Sequence, residues 1–162
     1  MQSERHGEKR YYETMTTEDH QHETYLEQVT ETVSSWPGIV TDEGRFSSTT
    51  FRVEDRDIGH IHSWGPVDIG YPQALRKQLI AEGETGEHHV VSDRATTFHV
   101  EAAADVEQAV TLFRLSYLYQ VLVLQSHGGV DAELAAIDVS DELASMDVSE
   151  DIRAILEDIR SR

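Results

Sequence analysis

Apolar residues recur along the chain with two different periods, and the period changes at recognisable breaks. A spacing of three or four residues, typical of one face of an α-helix, runs from residue 17 to the Trp36-Pro37-Gly38 break. The same spacing returns over residues 72–81 and 104–124, and the second half of the last segment is apolar nearly all round. These patterns predict three helices, of which the longest lies in the C-terminal half and is buried on more than one side.

Runs rich in β-branched and aromatic residues lie between these helices and predict strands. Residues 45–53 and 57–64 are two such runs separated by Glu54-Asp55-Arg56, which is the arrangement of a hairpin. Further strands are predicted at residues 67–69, 88–91 and 96–100. The expected fold class is therefore α+β, a small antiparallel sheet packed by a long helix of the C-terminal half, with an N-terminal helix and a helical acidic tail.

The two ends of the chain differ from this middle part. Residues 1–16 are polar without a hydrophobic period, which predicts a disordered N-terminal tail. Residues 128–162 contain an imperfect repeat, Asp-Val-Ser-Asp-Glu-Leu and Asp-Val-Ser-Glu-Asp-Ile, in which each serine is predicted to cap a short helix. We expect an α+β domain over residues 17–127, followed by an acidic helical extension that either docks on the core or binds a partner.

Charge restricts the choice of partner. The 162 residues include 31 acidic and 13 basic side chains, for a net charge of −18, and the lysines are Lys9 and Lys77. In molar salt the Debye length is roughly 3 Å, so repulsion among surface carboxylates costs little, and this composition predicts adaptation to a salt-rich cytoplasm. A nucleic-acid partner is not expected, because no basic patch is available to neutralise phosphates.

Several classes of site and location are excluded by what the chain lacks. It contains no cysteine, so thiolate nucleophiles, disulfides and zinc–thiolate sites are ruled out. No run of eighteen apolar residues is present, and residues 1–20 have no apolar signal region, so we expect a cytoplasmic protein without a membrane partner. Neither a glycine-rich phosphate loop nor a Gly-x-Ser-x-Gly motif is found, and no cofactor is predicted.

Two histidines one residue apart form the strongest candidate for chemistry. Side chains two apart on a strand point to the same face, so His60 and His62 are predicted to aim together, and Asp68, His99 and one of His88 and His89 are candidates to join them. Three interpretations are open: a hydrogen-bonded structural pair, an acid/base pair that faces a ligand, and a pair of metal ligands. Trp64 next to the pair is either part of the core or the wall of a ligand site.

A series of short motifs runs through residues 36–117, and the most specific of them is Arg56-Asp-Ile-Gly-His-Ile-His62. The others, in chain order, are residues 36–38, 51–52, 68–72, 75–76, 79–83, 87–90, 105–109 and 115–117. Together these motifs resemble the luciferase-like domain family, which is named for the fungal luciferases. The resemblance implies an α+β fold in which the helix over residues 104–124 packs on a small antiparallel sheet.

The resemblance also implies a site. It makes His60, His62 and His89 the shared polar positions of the family and thus the candidate catalytic residues, with Arg56 and Asp68 as candidate ligand-binding residues. Trp64 is a further candidate ligand-binding residue because of its position beside the histidine pair. Because the fungal enzymes oxidise a small organic molecule with O2, a small organic ligand is expected, and no metal is assigned. The alternatives are a non-catalytic interaction protein with structural histidines, forming a homo-oligomer or binding a partner through its C-terminal tail, and a histidine-based metal-binding domain.

Overall fold

The computed structural model describes residues 17–43, 48–88 and 93–162. The predicted N-terminal tail, residues 1–16, lies outside this part of the chain. The helices within it are α1 (Thr17–Ser34), α2 (Gln73–Ala81), α3 (Ala103–His127), α4 (Ala132–Ala135), α5 (Val139–Ser145) and α6 (Glu150–Arg160). The strands are β1 (Ile39–Glu43), β2 (Ser48–Val53), β3 (Arg56–His62), β4 (Pro66–Gly70), β5 (Gly86–Glu87) and β6 (Ala95–His99).

The strands form a single sheet in the order β1-β2-β3-β4-β6-β5, and every neighbouring pair is antiparallel. The sheet and the long helix α3 confirm the predicted α+β class. The predicted hairpin is β2–β3, with Glu54 in the left-handed backbone conformation (φ 56°) at its turn. Strand β1 was not predicted; it continues from the Trp36-Pro37-Gly38 break and pairs with β2 at the edge of the sheet.

Helix α3 covers one face of the sheet, which we call the helix face and which carries Phe51, Ile61, Val67 and Ile69. The Phe51 ring meets Phe113 of α3 edge to face, with 5.3 Å between the ring centroids. Helix α1 and the C-terminal helices also contact α3, which explains why its second half is apolar on several sides. Within the described ranges, no helix, α3 included, has the length and apolarity required to cross a membrane.

The C-terminal extension contributes to the same core. Its buried apolar side chains are Leu134, Val139, Leu143, Ile152 and Leu156. Helix α6 packs on α2 and α3, and Gln125 of α3 donates to the carbonyls of Leu134 and Ile137. The apolar side of the extension is thus buried within the chain, as docking requires.

One of the two predicted serine caps of this extension is correct. Ser149 caps α6 by accepting from the backbone N–H of Ile152. The prediction for Ser140 is wrong, because α5 begins earlier and its cap is Asp138, whose carboxylate accepts from the N–H of Asp141. The repeat has an aspartate two residues before each serine, and aspartate caps a helix as well as serine does, so the sequence alone allows either residue to be the cap.

A β-bulge interrupts the pairing of β2 with β3 and sets the direction of the side chains on β3. Phe51 pairs with Gly59 and Arg52 with Asp57, so Ile58 is an additional residue on β3. The Ser116 hydroxyl of α3 lies 3.0 Å from the Ile58 carbonyl and 2.9 Å from the Gly70 carbonyl. A buried side chain of the helix therefore ties the bulge on β3 to the end of β4.

Gly59, next to this bulge, has no room for a larger side chain. A Cβ atom there would lie 2.7 Å from the Asp68 carbonyl oxygen and 2.8 Å from a ring carbon of Phe113. Gly59→Ala is therefore expected to lower the free energy of unfolding by about 1–3 kcal/mol, the usual cost of overpacking. Gly70→Ala is the matched control, because nothing lies within 4 Å of its added Cβ. Equal urea midpoints for the two variants would contradict this assignment.

The docked extension gives a second prediction. Leu156 of α6 is fully buried, so Leu156→Ala is expected to lower the free energy of unfolding of the whole chain by about 2–5 kcal/mol. Asp158→Ala on the exposed side of α6 removes only a surface ion pair to Arg162. It should change the free energy of unfolding by less than about 0.5 kcal/mol. Denaturant unfolding followed by circular dichroism provides the measurement. A separate early transition confined to Leu156→Ala would show that the extension unfolds independently.

Candidate functional site

The side chain of Asp68 is the centre of a cluster on the face of the sheet opposite the helices. We call this the histidine face; it carries His60, His62, Asp68 and Thr97, which β3, β4 and β6 bring together in register. The Nε2 atoms of His60 and His62 lie 3.1 Å and 2.7 Å from Asp68 Oδ2. The Thr97 hydroxyl donates to the other oxygen, Oδ1, at 2.7 Å. Both carboxylate oxygens are thus engaged.

Asp68 is a buried carboxylate, with only 4% of its side chain exposed. Burial by itself would raise its pKa, but hydrogen bonds from His60, Thr97 and His62 outweigh this effect and hold the pKa of Asp68 well below its usual value. The carboxylate is therefore ionised throughout the neutral range. Since an ionised carboxylate only accepts, His60 and His62 both donate through Nε2–H.

The two imidazoles of β3 differ in their exposure. His60 is 40% exposed, whereas His62 is 19% exposed. Their rings meet edge to face with 4.8 Å between centroids. The Nδ1 atom of His62 is buried and has no hydrogen-bond partner among the described residues. His60 is consequently the imidazole that presents itself most to an approaching molecule.

A third imidazole and an indole complete the cluster. His88 places its Nε2 atom 3.3 Å from Asp68 Oδ2 and is 15% exposed. Trp64, just beyond β3, lies against His62 with 4.4 Å between ring centroids and is 59% exposed. An exposed aromatic surface next to three imidazoles is suited to contact a planar organic molecule.

Not all of the predicted site residues reach this cluster. Arg56 lies on the helix face, where its Nε–H donates to the side-chain oxygen of Gln120 on α3. The bulge at Ile58 is the reason: without the extra residue, strict alternation would place Arg56 on the same face as His60. His99 is exposed on β6, and His89 lies outside the described residues.

Two residues of the cluster were not assigned to the site. Strand geometry allowed either His88 or His89 to join it, and the family resemblance selected His89, whereas the structure places His88 on Asp68. Thr97 was not considered, because its contact with Asp68 depends on the register of β4 with β6. The only signal in the sequence for this role of Thr97 is its position two residues before His99, which directs both side chains to the same face of the strand.

Other residues of the matched motifs have structural contacts. Ser116 supports the bulge, as described above, and the Tyr117 hydroxyl donates to the Pro37 carbonyl at 2.5 Å. The Tyr71 hydroxyl, from the segment after β4, donates to the Leu112 carbonyl of α3 at 2.7 Å. The motif residues thus divide into those that join α3 to the sheet and those that form the cluster.

The family comparison matches the part of the chain that forms the cluster. Residues 55–116 match the family model of the luciferase domain, a segment that runs from the β2–β3 turn into the middle of α3 and includes the whole cluster. This segment is therefore similar to a luciferase domain, which confirms the resemblance inferred from the motifs. No curated protein and no solved structure matches the chain significantly.

The low pKa of Asp68 leads to a prediction about acid stability. A carboxylate whose pKa is lower in the folded state stabilises the fold above its unfolded pKa, near 3.8, and this contribution is lost as pH falls below that value. Asp68→Asn should therefore cost about 2 kcal/mol at neutral pH, the scale of hydrogen bonds to a charged group, and less at pH 3. Urea unfolding of both proteins at several pH values measures this difference.

Asp55→Asn is the matched control, since Asp55 is an exposed carboxylate at the turn of the same hairpin. It removes one of the 31 acidic groups without touching the cluster. A difference between wild type and Asp68→Asn that stays constant from pH 7 to pH 3 would show that the charge of Asp68 does not stabilise the fold.

Proposed function

We propose that the chain binds a small organic molecule on the histidine face and exchanges a proton with it. The observation that supports this most is that three imidazoles contact one buried, ionised carboxylate beside an exposed indole. A surface that served only for packing would not require so costly a buried charge. The molecule would carry an acidic hydroxyl or a carbonyl oxygen toward His60 and place its planar part against Trp64.

The proposed proton transfer follows from the tautomer of His60. Because Nε2–H is donated to Asp68, the neutral imidazole carries its lone pair on Nδ1, on the side that is not bonded to the carboxylate. Nδ1 would take the proton of the bound hydroxyl, and the resulting imidazolium would be stabilised by Asp68. In this scheme His60 is the general base and Asp68 is a positioning residue.

The location of the cavities agrees with binding on a surface rather than in the core. Three cavities of about 350, 570 and 340 Å³ lie beside α1, α3 and the extension. None of these three is lined by His60, His62 or Asp68. A molecule that reaches the imidazoles would therefore lie across the histidine face, against Trp64.

The luciferase domain supports a finer version of this proposal, in which the bound molecule is oxidised by O2. Removing a proton from an enol or a phenol makes the molecule richer in electrons and easier to oxidise. The residues proposed to act are His60, His62 and Asp68, with His88 in the place for which His89 was predicted. The acidic surface further supports a protein that works in concentrated salt.

A binding screen in molar KCl tests the proposal. A fragment set of phenols, enols and aromatic carboxylic acids is added while the imidazole NMR signals of His60 and His62 are followed. We expect members of the set to shift both signals, and His60→Gln to weaken their binding at least about tenfold. O2 consumption with each bound fragment then tests the oxidation.

His127→Gln is the matched control, because His127 is exposed at the end of α3 and the change is chemically identical. It should leave fragment binding unchanged. The proposal is wrong if no fragment shifts the signals of His60 and His62, or if His60→Gln and His127→Gln bind every fragment equally well.

A further inference from the structure

We infer that His60, His62, His88 and Asp68 form a binding site for one divalent transition-metal ion. The inference shares the site of the proposed function and goes beyond it. A metal ion on the Nε2 atoms would replace the hydrogen bonds to Asp68 and leave the proton of each neutral imidazole on Nδ1. The ion, in place of His60, would then be the group that acts on an oxygen atom of the bound molecule. His60, His62 and Asp68 each offer a donor atom, and these three atoms lie within 4.8 Å of one another. His88 Nε2 lies 3.3 Å from Asp68 Oδ2 but outside this group of three, so its imidazole would join as a fourth donor after a shift toward His60 and His62.

The distances of the imidazole nitrogens from Asp68 are close to those between neighbouring ligands of one metal ion. Imidazole nitrogen and carboxylate oxygen bind zinc at about 2.0–2.1 Å, so neighbouring donors of a tetrahedral site are roughly 3.3–3.5 Å apart. The three Nε2 atoms lie 3.1, 2.7 and 3.3 Å from Asp68 Oδ2. The His88 distance already matches the spacing of neighbouring tetrahedral ligands. The shortest distance, from His62 Nε2 to Asp68 Oδ2, must lengthen by less than about 1 Å.

Charge favours a cation at this position. Asp68 is buried and ionised, and the described part of the chain provides no arginine or lysine ion pair to it. An isolated buried carboxylate is costly unless it is paired or coordinates a metal. A divalent ion would place two positive charges where hydrogen bonds from the imidazoles and from Thr97 now offset one negative charge.

The surroundings of the four donors are those of an oriented metal site. Thr97 holds Oδ1 of Asp68 by a hydrogen bond of 2.7 Å, which leaves Oδ2 directed at the imidazoles. Such outer contacts keep ligands in position, and their removal typically lowers metal affinity 10–100-fold. Three nitrogens and one oxygen are donors suited to zinc, iron, nickel or copper, and not to magnesium or calcium.

Titration calorimetry of the full chain with Zn²⁺ in molar KCl, after treatment with a chelator, tests the site. We expect one Zn²⁺ ion per chain, and no comparable binding of Mg²⁺. The double variant His60→Gln/His62→Gln should lose at least about 100-fold in Zn²⁺ affinity, and Thr97→Val about 10–100-fold. His127→Gln should bind as the wild type does, and Co²⁺ should give a ligand-field absorption spectrum that the double variant lacks.

Outcomes of this experiment separate the metal inference from the proposed function. Circular dichroism melting first establishes that each variant folds, and Thr97→Val retains all four donors if the double variant does not fold. The inference is overturned if Zn²⁺ binds the wild type without defined stoichiometry, or if the variants and His127→Gln have equal affinity. If Zn²⁺ does not bind while fragments still shift the imidazole signals, the metal site is refuted and the organic-ligand proposal stands. If Zn²⁺ binds and no fragment shifts the signals, only the organic-ligand proposal is refuted.

Discussion

The contact between the buried Asp68 carboxylate and its three hydrogen-bonding neighbours is the constraint on which the histidine face depends. A carboxylate at 4% exposure is tolerated only if its oxygens accept enough hydrogen bonds to offset the loss of water. His60 and His62 come from β3, Thr97 comes from β6, and Asp68 itself lies on β4 between them. One side chain thus fixes the relative register of three strands and the orientation of the imidazoles.

The other face of the sheet explains how this cluster is held in place. Helix α3 reaches β3 through Ser116 at the bulge, through Phe113 against Gly59 and through Gln120, which accepts a hydrogen bond from Arg56. The bulge turns Arg56 toward α3 while His60 and His62 remain on the opposite face. The residues that join the helix to the sheet are therefore adjacent in sequence to the residues that form the cluster, but the two sets lie on opposite faces of the sheet. This explains why both sets occur in one motif.

Much of the fold could be predicted from the sequence, because hydrophobic periods are local properties. Helices α1, α2 and α3 and the β2–β3 hairpin were predicted from these periods, and the convergence of His60, His62 and Asp68 from strand alternation and the family resemblance. Strand β1 was missed because Ile39–Glu43 is a short edge strand with two acidic residues and little apolar pattern. The position of Arg56 and the role of Thr97 depend on a bulge and on a register, which arise only when strands pair.

The placement of Trp64 has a consequence for spectroscopy. The chain has two tryptophans. Trp36 is partly buried and packs against Tyr117, with 5.3 Å between the ring centroids. Trp64 is exposed and contacts His62. The intrinsic fluorescence of the protein therefore has one component from the core and one from the cluster, and the two differ in solvent exposure. Emission from Trp64 can be separated by its accessibility to a dissolved quencher, so the state of the histidines can be observed optically without attaching a label.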